Sequence, residues 1–310
     1  MMQVTEKVKE VLSWYSNENN GVRTNLARML MHGKLAGTGK LVIMPVDQGF
    51  EHGPDRSFAV NPDAYDPEYH FKVAIQGGCS AYAAPLGMLE AAADKFIGQI
   101  PLILKLNSSY SLASSELSPE QAFTAGVQDA LRLGCVGVGM TIYPGSNKFY
   151  KNLKRIKKTI YEAKSHGLAV VLWAYPRGEG LSKEGQSAID ICAYSGHIAA
   201  LLGANIIKLK PPSNFIEKDE VKKIYQNTGI KIDSLSDRIK HVMKAIMNHK
   251  RLVIFSGGGK KSDEDILDEI KMIAKGGGSG SIIGRNNFQR PFKESLELLQ
   301  KICHIYHSQS

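Results

Sequence analysis

From residue 41 onward, eight short apolar runs alternate with helical patterns. The runs are Leu41–Val46, Ser80–Ala84, Leu102–Leu106, Val136–Thr141, Leu168–Ala174, Asn205–Leu209, Leu252–Phe255 and Ser281–Ile283. The helical patterns that follow them are Pro67–Gln76, Leu86–Phe96, Pro119–Leu133, Lys148–His166, Gln186–Leu202, Ser234–His249, Ser262–Ala274 and Pro291–Tyr306. Strict strand–helix alternation demands parallel strands joined by crossover helices. Eight such units close a (β/α)8 barrel, so the expected fold class is an α/β TIM barrel. An open doubly wound sheet would need fewer strands and a domain division, and no linker-like segment supports one. Residues 1–40 read as an N-terminal helical extension packed outside the main body, with Val4, Val8, Val11, Leu12 and Trp14 on one apolar face. Residues 41–310 then form the barrel, with an expected insertion near 213–233 that carries its own helix.

In a barrel of this kind the carboxyl ends of the strands build the active site. Those ends carry Asp47 after the first strand, Lys105 in the third, Trp173 and Tyr175 at the fifth, and Lys208 and Lys210 in and after the sixth. The seventh ends in Ser256-Gly257-Gly258-Gly259-Lys260 and the eighth in Gly284-Arg285. The segment Ala204–Pro212 is the most informative. Period-2 alternation puts Ile206, Lys208 and Lys210 on one face and Ile207 and Leu209 on the other, and Pro211-Pro212 stops the strand. An amine seated that deep loses its charge more readily, and a second ammonium nearby adds to the effect. A neutral lysine attacks ketones and aldehydes. Both lysines share the face; Lys208 lies deeper, which favours it as the nucleophile, with Lys105 and Lys210 lowering its pKa. Asp47 and Tyr175 are the candidates for proton transfer.

Glycines at the seventh and eighth strand ends allow backbone N–H groups to surround an anion, and Arg285, with Lys260, would add charge-assisted bonds. Gly257, Gly258, Gly284 and Arg285 are therefore read as a phosphate corner, with Ser256 next to it in the chain. The net charge of +9 suits an anionic substrate. The basic residues are spread along amphipathic helices, not packed with aromatics, so nucleic acid is not expected as a partner. Four isolated cysteines without metal-ligand spacing point to a reducing compartment and a cytoplasmic location. No run reaches the ~20 apolar residues of a membrane span, so no membrane partner is expected. The histidines show no ligand spacing, and the tail Cys303-His304-Ile305-Tyr306-His307 reads as a solvated helix end.

The motifs resemble those of the archaeal-type class I fructose-1,6-bisphosphate aldolases, including their longer bacterial members. The matching segments are VDQGFEHGP (46–54), NPDAYDPEY (61–69), PLILKLN (101–107), TIYPGS (141–146), WAYPRG (173–178), GANIIKLK (203–210), SGG (256–258) and GRNNFQRP (284–291). The resemblance implies a metal-independent, cofactor-free aldehyde-lyase of glycolysis and gluconeogenesis that works through a Schiff base. It also implies a homo-oligomer, often decameric, whose partner is a phosphorylated sugar. By the family pattern Lys208 is the Schiff-base residue, Tyr175 the proton-transfer residue, Asp47 the active-site aspartate and Trp173 a pocket wall. The chain departs from the short archaeal pattern in three ways. Gln48 stands where many members have His, Pro211-Pro212 replaces an aromatic or glycine, and the N-terminal 40 residues and 213–233 are additional. A related Schiff-base synthase acting on another sugar phosphate is the alternative activity.

Overall fold

The computed structural model describes residues 3–112, 117–256 and 261–309. Its centre is a closed barrel of eight parallel strands in the ring order β1-β10-β9-β8-β7-β6-β3-β2. These are β1 (Leu41–Pro45), β2 (Ala81–Pro85), β3 (Leu102–Lys105), β6 (Gly137–Ile142), β7 (Ala169–Ala174), β8 (Ile206–Leu209), β9 (Leu252–Phe255) and β10 (Gly280–Ile282). The two remaining strands, β4 (Asn107–Ser108) and β5 (Ala122–Phe123), form a small antiparallel ribbon beyond the end of β3. The expected TIM barrel is therefore the fold, and each of its eight strands lies within or overlaps an apolar run read from the sequence.

Alternation along the strands divides the core in two. Leu41, Ile43, Ala81, Ala83, Ile103, Val171, Ile206 and Ile254 belong to an inner cluster. Ile207 and Leu209 belong to the outer one, which packs against the helices. Lys208 follows Ile206 by two residues and so shares its face, in register with Trp173 of β7 and Ile254 of β9. Gly139 of β6 is in register with Lys105. A Cβ on Gly139 would lie 2.2 Å from the Trp173 ring, so the absence of a side chain there makes room for the indole.

Helices α1 (Glu6–Ser13) and α2 (Asn20–Leu30) are capped by Thr5 and Asn19, whose side chains accept from Val8 N and Val22 N. They are not an appendage. Val8, Val11, Tyr15, Val22, Leu26, Met29 and Leu30 are buried in the same cluster as the inward residues of the strands. The Tyr15 hydroxyl donates to Asn205 O (2.6 Å) and accepts from Leu252 N (2.8 Å), at the amino ends of β8 and β9. The expected placement outside the main body is thus corrected: the apolar face is consumed in closing the amino end of the barrel.

Several helices differ from expectation. The pattern at Pro119–Leu133 becomes helical only over Val127–Arg132. Thr124 N and Ala125 N both bond Leu106 O, at 2.8 and 3.2 Å, and this extends the stretch into the ribbon instead of the helix. Leu86–Phe96 divides into an α-turn, Leu86–Glu90, and a 3-10 turn, Ala93–Phe96. The stretch 213–233 does carry a helix, Asp219–Thr228. The tail helix Phe292–His307 buries Cys303 and Tyr306, so only part of it is solvated.

Candidate active site

At the carboxyl end of the barrel lies a cavity of about 330 Å³, whose wall includes Asp47, Lys105, Tyr175, Lys208, Lys210 and Arg285. A smaller cavity of about 90 Å³ adjoins it through Gln48, Tyr175, Lys208 and Arg285, and reaches Ser256, Gly284 and Asn286. Strand ends far apart in sequence are brought together because the barrel is closed and every strand points the same way. Gly257, Gly258 and Lys260 lie outside the described residues.

Lys208 is 4% exposed. Its Nζ sits 5.1 Å from the Tyr175 ring centroid and 5.9 Å from that of Trp173. Burial is the main cause that pulls its pKa from 10.5 down to about 8. Asp47 and Glu51 oppose this, and Arg285 adds to it. Arg285 adds repulsion to Lys208, and the mutual repulsion among the three lysines also lowers Lys105 and Lys210. With a pKa of about 8, roughly a tenth of the amine is neutral at pH 7, against about 0.03% at the ordinary value.

Lys105 is also buried and is lowered to about 8 by desolvation. Unlike Lys208, it is tied down: its Nζ donates to Asn107 O and, at 3.3 Å, to Asn107 Oδ1. Asn107 is itself fixed across to β6, accepting from Thr141 N at 2.7 Å and donating to Thr141 O at 2.9 Å. Lys105 Nζ lies 5.5 Å from the Trp173 ring centroid, so one indole neighbours both amines. Lys210, beyond the end of β8, is half-buried, lowered by desolvation and 5.8 Å from the Tyr175 ring. Burial, then Asp47 and Glu51, raise the Tyr175 phenol far above its ordinary value, so it keeps its proton at every working pH.

Several wall residues had drawn no role from sequence, Glu51, His52 and Arg177 among them. Glu51 and Arg177 face each other across the cavity mouth (Oε1–Nη1 3.6 Å), and His52 Nε2 lies 3.9 Å from Glu51 Oε2. Both Glu51 and Arg177 stand within motifs just after strand ends, and that position was the available signal. In the larger cavity six cations (Arg56, Lys105, Arg177, Lys208, Lys210 and Arg285) face two carboxylates. An excess of positive charge around a concave wall favours an anion. The smaller cavity also holds a Lys261–Glu269 ion pair.

Fold and site together define a TIM barrel with a buried, readily deprotonated lysine on the wall of a cation-rich cavity. Comparison with known proteins places it further. Residues 41–290 match the DeoC/LacD family aldolase model. A Chlamydia muridarum protein named "Probable fructose-bisphosphate aldolase class 1" is 36% identical, over 94% of this chain and 86% of its own. The "Fructose-bisphosphate aldolase class 1" of Thermoproteus tenax is 33% identical, over 86% and 89% respectively. A solved structure described as a Schiff base forming fructose-1,6-bisphosphate aldolase superposes with a TM-score of 0.75 at 29% identity, covering 90% of this chain and 98% of its own. The chain belongs to the DeoC/LacD family of aldolases. Among its described residues no helix is long and apolar enough to cross a membrane.

Proposed function

We propose that the protein is a class I fructose-1,6-bisphosphate aldolase, cleaving the sugar reversibly to dihydroxyacetone phosphate and glyceraldehyde 3-phosphate. The observation that carries this reading is the state of Lys208: an amine buried on the inner face of the barrel, with a pKa near 8, beside a cation-rich cavity. Neutral Lys208 Nζ adds to the C2 carbonyl of the ketose and the carbinolamine loses water to give an iminium. The iminium draws in the electron pair of the C3–C4 bond as it breaks. The C4 hydroxyl gives up its proton as the aldehyde leaves, and the enamine takes a proton at C3 before hydrolysis frees the ketone. Tyr175, protonated at rest beside Lys208 Nζ, is assigned the proton donations to the departing carbinolamine hydroxyl and to C3, and Asp47 at the rim is assigned the proton of the C4 hydroxyl.

Ser256, Gly284 and Arg285 hold the phosphate nearest the iminium, with Gly257 and Gly258 assigned to the same corner. Lys105 and Lys210 hold substrate oxygens, and Trp173 forms the wall behind Lys208. No metal or cofactor takes part in this scheme, and turnover is expected to be insensitive to EDTA. Four buried free thiols suit a cytoplasmic location. We assign residues 41–310 to the aldolase domain, supported by the family match from residue 41, and infer from the family resemblance a homo-oligomer working in glycolysis and gluconeogenesis.

Borohydride reduction in the presence of dihydroxyacetone phosphate, followed by peptide mass mapping, tests the reading. One adduct is expected, on Lys208. No adduct, with turnover abolished by chelation, would overturn it.

A further inference from the structure

The barrel's ring order places β9 and β3 four positions apart, on opposite sides. If the phosphate corner beyond β9 and β10 anchors one end of the sugar and Lys208 of β8 takes its ketone, the remaining carbons extend toward β3. There the β4–β5 ribbon stands, an addition to the barrel with no part in closing it.

The ribbon brings unusual side chains to the cavity wall. More than nine in ten buried polar groups in proteins have a hydrogen-bond partner. Among the described residues, nine buried side-chain polar atoms have none, and three of these, Gln48 Oε1, Ser108 Oγ and Gln121 Oε1, belong to residues lining this one cavity. Ser108, on β4, is only 5% exposed. Gln121 immediately precedes β5, and its amide is held from one end, Nε2 donating to Tyr143 Oη at 2.6 Å, so the other end is left over. Tyr143 is fixed in turn by Ser109 Oγ at 3.2 Å. Both unpartnered oxygens are shut off from water behind the cavity wall, so a substrate hydroxyl meets them once the Ser108 and Gln121 side chains turn toward the cavity; an apolar chain would leave them unpaired and a hydroxylated chain would satisfy them.

Resting on the aldolase reading above, we infer that the ribbon is the element that reads hydroxyl groups on the aldehyde half of the substrate. Ser108 and Gln121 are the specificity-determining residues. They select a hydroxylated aldehyde phosphate over its deoxy counterpart, and they act on neither the imine nor the phosphate held beyond β9.

The test runs the reaction in the direction of carbon–carbon bond formation. Dihydroxyacetone phosphate is supplied with either glyceraldehyde 3-phosphate or its 2-deoxy analogue, 3-oxopropyl phosphate. The wild type is expected to favour the hydroxylated aldehyde in kcat/KM by about tenfold or more. Ser108→Ala should cut that preference to about threefold or less, through loss on the hydroxylated aldehyde, with the deoxy rate changed less than about twofold. Gln121→Leu provides a second variant with the same expected pattern. Borohydride trapping of dihydroxyacetone phosphate should be unchanged in both. Equal losses on the two aldehydes, or an unchanged preference in both variants, would overturn the inference alone. Absence of a trapped adduct in the wild type would overturn the aldolase reading, and this inference with it.

Discussion

Replacing Lys208 by methionine should make the protein more stable while removing its chemistry. The unbranched apolar stem is kept out to Cε, with sulfur in place of Cδ, and the amine is lost. Folding moves the Lys208 pKa from 10.5 to about 8. At about 1.4 kcal/mol per unit, the fold pays about 3 kcal/mol to hold that ammonium at pH 7. The sign follows from which state keeps the proton. Below pH 8 both folded and unfolded chains carry the charge, and the full penalty is present. Between pH 8 and 10.5 the folded protein sheds its proton while the unfolded chain still holds it, so wild-type stability rises relative to the variant. Above 10.5 both are neutral and the difference vanishes. Urea unfolding of wild type and Lys208→Met, run in parallel from pH 7 to pH 10.5, reads this directly. The variant should be more stable by up to about 3 kcal/mol at pH 7, with the gap closing toward pH 10.5 and no borohydride-trappable adduct at any pH. A variant less stable than wild type at pH 7, or a gap that does not change with pH, would refute the claim that burial holds this amine ready for deprotonation.

Further expectations concern the groups around that amine. Glu51 raises the Lys208 pKa and Arg285 lowers it, so Glu51→Gln should move the acid limb of the kcat/KM–pH profile to lower pH and Arg285→Ala should move it higher. Arg285→Ala should also raise KM for the phosphorylated ketose by about tenfold or more, as a charge-assisted contact is lost. Tyr175→Phe should still form the reducible adduct but lose about 10²–10⁴-fold in turnover. A full loss of adduct would instead place Tyr175 in the addition step. Gly139→Ala puts a methyl group 2.2 Å from the Trp173 ring and should cost about 1–3 kcal/mol, with a shift in tryptophan fluorescence. An unchanged spectrum would mean that the indole does not depend on that gap.

Much of the site was legible because a parallel barrel converts a one-dimensional pattern into a location. Once eight apolar runs were counted, the residues following each run had to meet on one rim, and Lys208 had to share a face with Ile206. Lys105, Lys208, Tyr175, Asp47 and Arg285 do share that cavity. The ribbon was not legible, because Pro119-Glu120-Gln121 is as good a helix start as it is an extended segment. Two hydrogen bonds from Thr124 N and Ala125 N to Leu106 O, a partner far back in the chain, decide between them. Nor did sequence reveal that α1 and α2 close the barrel, since an amphipathic face shows that something is covered but not what covers it.

Residue order alone determined the alternation, the strand count and which lysines share a face, because these depend on local periodicity and chain connectivity. Tertiary structure decided the charge of Lys208, the tethering of Lys105 by Asn107 and the pairing of Glu51 with Arg177. Those properties arise from desolvation and from distances between side chains that are remote along the chain, and both come into being only when the barrel closes.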